Sequence, residues 1–171
     1  MEKTFTISVF TENSVGMLNR ITIIFTRRHL NIESITASES EIANVFRYTI
    51  VLKTTDEQVN KVIGQIEKLI EVLKAFVHED DDIVHQEIAL YKVKMNHASS
   101  NELEKVIREN YARILAIDPH YIVIEKTGHT TETQSLFDKL KSFGILEFAR
   151  SGRVAVTKPM KELSQYLKEI N

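Results

Sequence analysis

The 171-residue chain contains no cysteine, so disulfides, thiol nucleophiles and cysteine-based zinc sites are excluded. Its five glycines and two prolines are too few for long flexible linkers. Neither sign of charge is in excess: 22 Lys and Arg against 24 Asp and Glu leave a net charge of −2, which gives nucleic acid no electrostatic foothold. No apolar run approaches the roughly 20 residues of a membrane helix. The N-terminal MEKTFTISVF carries an acid and lacks the long apolar core of a signal peptide. Membrane association is therefore not expected, and a reducing cytoplasm suits the chain. Catalytic signatures are missing too. There is no G-x-S-x-G elbow, Walker A loop or G-x-G-x-x-G cradle, and no HxH or HExxH pair among His29, His78, His85, His97, His120 and His129. These absences favour a binding protein over an enzyme.

What is present is an ordinary globular composition, 43% hydrophobic and 27% charged. The length fits one large domain or two of roughly 80 residues. In KTFTISVFT (3–11), Phe5, Ile7 and Val9 alternate with Thr and Ser, the period of a half-buried strand. A loop from Glu12 to Gly16 leads to a helix with Leu18, Ile21, Ile24 and Phe25 on one face, and Arg27 and Arg28 suit the negative end of its dipole. NIESITAS and VFRYTIVLK read as strands. Thr55 and Asp56 cap a second helix that buries Val59, Val62, Ile63, Ile66, Leu69 and Ile70, and VLKAFVHE returns as a strand. The order over residues 3–79 is β-α-β-β-α-β, the ferredoxin-like arrangement. Two helices then cover one side of a four-stranded antiparallel sheet, and the other side is bare in a lone copy and needs a partner.

The order recurs. HQEIALYKVKMN (85–96) reads as a strand with Ile88, Leu90 and Val93 inward, and Ser99 and Ser100 lead a helix bearing Leu103, Val106 and Ile107. ARILAID and HYIVIEKT are strands joined at Asp118-Pro119. Thr130 or Thr131 caps a helix with Leu136, Phe137, Leu140 and Phe143, ILEFARSG is a strand, and Pro159 opens a terminal helix. The fold class is thus α+β, two ferredoxin-like βαββαβ domains at residues 1–79 and 80–171. The acidic run Glu79-Asp80-Asp81-Asp82 between them lacks EF-hand spacing and reads as a solvated connector with capping acids. His78 and His85 flank it, more simply as linker histidines than as metal ligands. Ser151-Gly152-Arg153 offers an arginine to a phosphate or, more simply, closes a hairpin into RVAVT.

The stretch ENSVGMLNRITIIFTRRHLNIES (12–34) carries the most specific chemistry. A helix N-terminus presents four unpaired N–H groups and a partial positive charge, enough to hold a carboxylate without lysine or arginine. Gly16 lets a ligand approach the backbone, Asn13 offers both a donor and an acceptor, and Val15, Met17 and Leu18 share the same loop and helix start. Beyond the helix, the Asn31 carbonyl suits an ammonium and Ile32 an aliphatic side chain. The set fits a small amino acid at a domain interface. The plainer alternative is a loop–helix corner in which Gly16 relieves strain and Asn13 caps the helix.

These residues resemble the N-terminal signature of the regulatory (small) subunit of acetohydroxyacid synthase, also called acetolactate synthase. The elements EN-x-x-G-x-L-x-R and NIES, with IEKLIEVLKAF, HQEIALYKV and LEFARSGRVAV in the family's order, extend the resemblance over nearly the whole chain. It implies that the first domain is an ACT domain, an amino-acid-binding module that pairs into a homodimer. It implies a non-catalytic chain that binds and activates a large subunit dependent on thiamine diphosphate. That subunit would carry the thiamine diphosphate, Mg and any FAD, with no cofactor in this chain. It also implies feedback inhibition by a branched-chain amino acid, most commonly valine. The matching effector residues are Asn13, Gly16, Asn31 and Ile32, with Val15, Met17 and Leu18 beside them. The alternative is a free-standing ACT-type amino-acid sensor with another partner. The chain departs from the family pattern at His29 and Leu30, where a glycine commonly precedes the aromatic-Asn-Ile run, and at Phe46, where a serine-like residue precedes the arginine matched by Arg47. The first departure bears on the helix C-cap.

Overall fold

The computed structural model describes residues 1–95, 100–159 and 162–168. The chain divides into two compact units, residues 1–85 with 152–171, and residues 86–151. In the first unit the order is β1 (Lys3–Glu12), α1 (Met17–Arg27), β2 (Ile32–Glu39), β3 (Val45–Thr54), α2 (Asp56–Ile66) and β4 (Val72–His78). The strands form an antiparallel sheet ordered β2-β3-β1-β4. Phe5, Ile7 and Val9 point to the helical side. There they join Met17, Ile21, Phe25, Ile50, Leu52, Val59, Val62 and Ile66 in one core.

The second series is β5 (Ile83–Lys94), α3 (Ser100–Glu109), β6 (Arg113–Ile117), β7 (Tyr121–Gly128), α4 (Thr130–Leu140) and β8 (Ile145–Arg150). Its sheet order, β6-β7-β5-β8, repeats that of the first. Both sheets thus take the ferredoxin-like order expected. Two further elements follow, β9 (Val154–Thr157) and α5 (Leu163–Lys168).

The outer face of the first sheet is not bare. Thr6, Ser8, Phe10, Thr49 and Val51 on that face are all buried, and the chain after residue 151 returns to it. Arg153 Nη1 donates to Thr6 Oγ1 at 2.7 Å and to Asp80 Oδ1 at 2.6 Å. Thr36 Oγ1 donates to the Arg153 carbonyl at 2.8 Å, and Arg47 Nη2 donates to the Ala155 carbonyl at 2.6 Å. Leu163 packs with Phe10 and Val45. Gly152 permits this return, since a Cβ there would meet Thr36 Oγ1 at 2.6 Å and the Ile35 carbonyl oxygen at 3.0 Å. The compact units therefore do not coincide with a division at residues 79 and 80, because residues 152–171 group with the first unit.

Several local expectations change for physical reasons. On β5 it is Ala89, Tyr91 and Val93 that are buried, while Ile88 and Leu90 are exposed. Val93 is inward as expected, but side chains alternate with period two, so Ile88 and Leu90 cannot share its face. Helix α2 ends at Ile66, and Ile70 lies exposed in the following turn. Leu18 is exposed and Met17 takes its place in the core. The N-cap of α4 is His129, in a capping box with Glu132, so Thr130 is the first helical residue. Residues 151–153 do not close a hairpin, because β9 pairs with β5. Arg153 is engaged by Asp80 and Thr6, which leaves little of it for a phosphate. Pro159 precedes the terminal helix, which begins at Leu163. The Ser99 cap and His97 lie outside the described residues.

Candidate functional site

Helix α1 begins at an exposed corner led by glycine. Gly16 is its N-cap, at φ 86° and ψ 0°, and no side chain caps the helix. Only glycine adopts this left-handed conformation without strain. The space where its Cβ would lie is open, with no atom within 4 Å. The Met17 N–H reaches the Ser14 carbonyl only at 3.4 Å, at the limit of a hydrogen bond. Of the plainer alternative one half holds: Gly16 takes the left-handed position that relieves strain, whereas Asn13 does not cap, and its own N–H donates to the Asn44 carbonyl at 3.1 Å.

The seven predicted residues divide into three groups. Asn13, Val15, Gly16 and Leu18 are exposed around the tip, Val15 at 98%. Met17 is buried, so it offers the loop its backbone and not its side chain. Asn31 and Ile32 sit elsewhere. Ile32 pairs with Leu52, and Leu52 pairs with Phe5, whereas the loop to Gly16 leaves the sheet at Glu12. At about 3.3 Å per residue the two groups lie roughly 23 Å apart along the sheet. One copy of the chain does not bring them together.

Charge around the tip is already arranged. Arg20, one turn into α1, is ion-paired with Glu71. The hydrogen bond from Arg20 holds the Glu71 carboxyl below its usual pKa. At the other end of α1, His29 occupies a left-handed position at φ 53°. The His29 N–H bonds the Thr26 carbonyl and the Leu30 N–H bonds the Phe25 carbonyl, both at 3.0 Å. This is a Schellman cap, so the helix terminates normally although histidine, not glycine, holds the left-handed position.

Among the described residues no group of three or more His, Asp and Glu is placed to hold a metal ion. His85 Nε2 lies 3.8 Å from Asp80, whereas His78 is buried beneath the returning segment. Burial, with repulsion from Arg47 second, lowers the His78 pKa. Reading His78 as a linker residue missed its burial, since the residues that enclose it, 156–159 and 162–165, lie far along the chain. No described helix is long and apolar enough to cross a membrane.

Comparison with known proteins places both halves of the chain. Residues 7–74 match the model for an AHAS small subunit-like ACT domain, and residues 86–159 match that for the small subunit of acetolactate synthase. The acetolactate synthase small subunit of Bacillus subtilis is 35% identical over 172 residues, covering 100% of this chain and 99% of that protein. That of Mycobacterium bovis is 33% identical over 156 residues, covering 91% of this chain and 93% of its own. The crystal structure of the small subunit from Thermotoga maritima superposes with a TM-score of 0.86 at 27% identity, over 93% of this chain and 99% of that one.

Proposed function

Since the chain belongs to the acetolactate synthase small-subunit family, we propose that it is the regulatory subunit of that enzyme. In this reading it works in the cytoplasm, without a cofactor of its own. It binds and activates a large catalytic subunit that carries thiamine diphosphate and Mg, with FAD where present, and it transmits feedback inhibition by a branched-chain amino acid, valine first. The observation that carries the reading is the uncapped tip of α1, where Gly16 leaves backbone N–H groups and open space for a carboxylate.

The separation of the two residue groups supports a site built from two copies. If two ACT domains pair about a twofold axis with their α1 helices antiparallel, the Gly16 end of one faces the Asn31 end of the other. The amide tip then takes the carboxylate, Asn13 and the opposing Asn31 carbonyl take the ammonium, and Ile32 meets the aliphatic side chain. Valine has few heavy atoms, and at about 0.5–1 kcal/mol per atom the affinity falls between micromolar and millimolar. Inhibition follows only if valine binds the inhibited arrangement better than the active one.

Reconstitution tests this. The purified chain alone should form no acetolactate from pyruvate and thiamine diphosphate. Adding the cognate large subunit should raise turnover and confer sensitivity to valine, leucine or isoleucine tested in turn. Gly16→Asp places a carboxylate where the ligand's own is held, so valine sensitivity should vanish while activation persists. Normal valine binding by that variant in calorimetry refutes the location, and co-purification with a different partner refutes the enzyme assignment.

A further inference from the structure

We propose a second ligand site in the first unit, on the outer face of its sheet: a cavity in which Arg47 and His78 receive the carboxylate of a small organic acid and Phe10, Phe76, Val156 and Leu163 receive its apolar tail. The cavity has a volume of about 490 Å³ and lies between β1, β3 and β4 and residues 156–159 and 162–165 of the returning chain. It does not include the α1 tip, and its function is independent of the reading given above for that tip.

The argument starts from groups left without partners. Arg47 spends Nη2 on the Ala155 carbonyl at 2.6 Å and on Ser8 Oγ at 3.3 Å. Its Nε is buried without a hydrogen-bond partner, and among the described residues it forms no ion pair. His78 is 9% exposed, and its Nε2 is likewise buried and unpartnered. Each such group carries a desolvation cost that a bound acceptor removes. Burial depresses the pKa of both side chains, and Arg47 further disfavours a charged His78. The site therefore presents one guanidinium and one neutral imidazole, a complement to a single negative charge.

The remaining walls select the rest of the ligand. Phe10 and Phe76 meet edge-to-face, centroids 6.1 Å apart, and the Arg47 guanidinium lies 5.3 Å from the Phe10 centroid. This apolar floor accepts an aryl or branched aliphatic group. Glu41 and Glu162 also line the cavity and are exposed. Glu41 also attracts the Arg47 guanidinium, and the two rim carboxylates repel a phosphate dianion about twice as strongly as a monocarboxylate, which makes the monocarboxylate the better match of the two.

The test is an NMR titration of the full-length chain with 3-phenylpropanoate, its alcohol 3-phenylpropanol, its 2-amino derivative and inorganic phosphate. The carboxylate should shift the Arg47 Nε–H, the His78 ring and the Phe10 and Phe76 rings in one saturable event. The alcohol and phosphate should bind at least tenfold more weakly. The 2-amino derivative separates an amino acid from an acid without the ammonium. Arg47→Gln should weaken binding at least tenfold while Gly16→Asp leaves it unchanged, which keeps this site distinct from the α1 tip. The proposal is overturned if the wild-type chain shows no saturable shift at these four side chains. Equal binding of the alcohol, or shifts confined to residues 13–18, overturns it as well.

Discussion

On the outer face of the first sheet Thr6, Ser8, Phe10, Thr49 and Val51 are buried, whereas on the matching face of the second Ile88 and Leu90 stand 40% and 36% exposed. The units differ equally in their polar groups. In the second, Glu87 and Glu125 are buried but answered: Glu87 by Thr130, Thr133 and Arg150, Glu125 by Arg113. In the first, Arg47 Nε and His78 Nε2 have no such answer, and α1 starts without a cap. One frame thus serves two ends. Where buried charges face one another, the network holds the fold together, although Arg150 Nε, 3.0 Å from Glu87, also lacks a hydrogen bond. Where groups are left over, they are available to a ligand.

The largest expected effect breaks a pairing in the second unit. Arg150 Nε lies 3.0 Å from the buried Glu87 carboxylate, and its Nη2 donates to Gln134 at 3.0 Å. Arg150→Leu removes the charge and leaves Glu87 held only by two threonine hydroxyls. The cost should be about 2–3 kcal/mol, below the range for a fully buried pair because Arg150 keeps some exposure. Chemical denaturation measures it, and hydrogen exchange should show the lost protection in β5, α4 and β8. Arg47→Gln in the first unit should cost far less, since no carboxylate is orphaned there. Equal losses would erase the contrast.

Tyr91 sharpens the same contrast. Its hydroxyl donates to the Thr133 carbonyl at 2.6 Å inside the second core, and burial pushes its pKa up to about 12. Tyr91→Phe should cost about 1–2 kcal/mol by leaving that carbonyl unsatisfied. The folded pKa lies above the unfolded value of 10, so this stabilisation is complete below pH 10 and is lost as pH rises towards 12. The variant should lose that part of the alkaline slope. His78 acts at the other end of the scale. Its folded pKa lies below the usual 6.5, so its contribution is complete above pH 6.5 and declines as pH falls through the lowered value. His78→Gln should flatten the acid limb of a stability–pH curve.

Much of this was legible in the residues, for a definable reason. The alternation in Phe5, Ile7 and Val9 and the helical spacing of Val59, Val62 and Ile66, like that of Leu103 and Ile107 in the second series, are local signals, and signals of this kind gave both β-α-β-β-α-β orders. The strain relief raised for Gly16 in the plainer alternative was legible because a left-handed position is also a local demand. Parity on β5 was not, since Ile88 and Leu90 are as apolar as Ala89 and Val93 and only the tertiary fold chooses between them. The Arg47–His78 cavity was hidden for a stronger reason. Its walls come from β1, β3, β4 and a segment roughly 80 residues downstream of His78. Arg153 likewise read as part of a hairpin turn, whereas it reaches Asp80 and Thr6, far away in sequence.

The smallest prediction concerns a feature the units share. In the second unit Tyr111 occupies φ 51°, with its N–H bonding the Arg108 carbonyl at 3.1 Å and the Ala112 N–H bonding the Ile107 carbonyl at 3.0 Å. This repeats the His29 cap in the first, so both helix-to-edge-strand turns place a bulky residue where glycine is favoured. Neither side chain recovers the cost by packing, since His29 is exposed and Tyr111 is 90% exposed. His29→Gly and Tyr111→Gly should each stabilise the chain by about 0.5–1 kcal/mol, the left-handed strain relieved less the added freedom of the unfolded chain. Far apart in sequence and in separate compact units, the two gains should add in a double variant followed by thermal melts. A gain at Tyr111 with none at His29 would mean that the first turn is held by contacts a single copy does not make, as expected if a second ACT domain packs against the Asn31 end of α1.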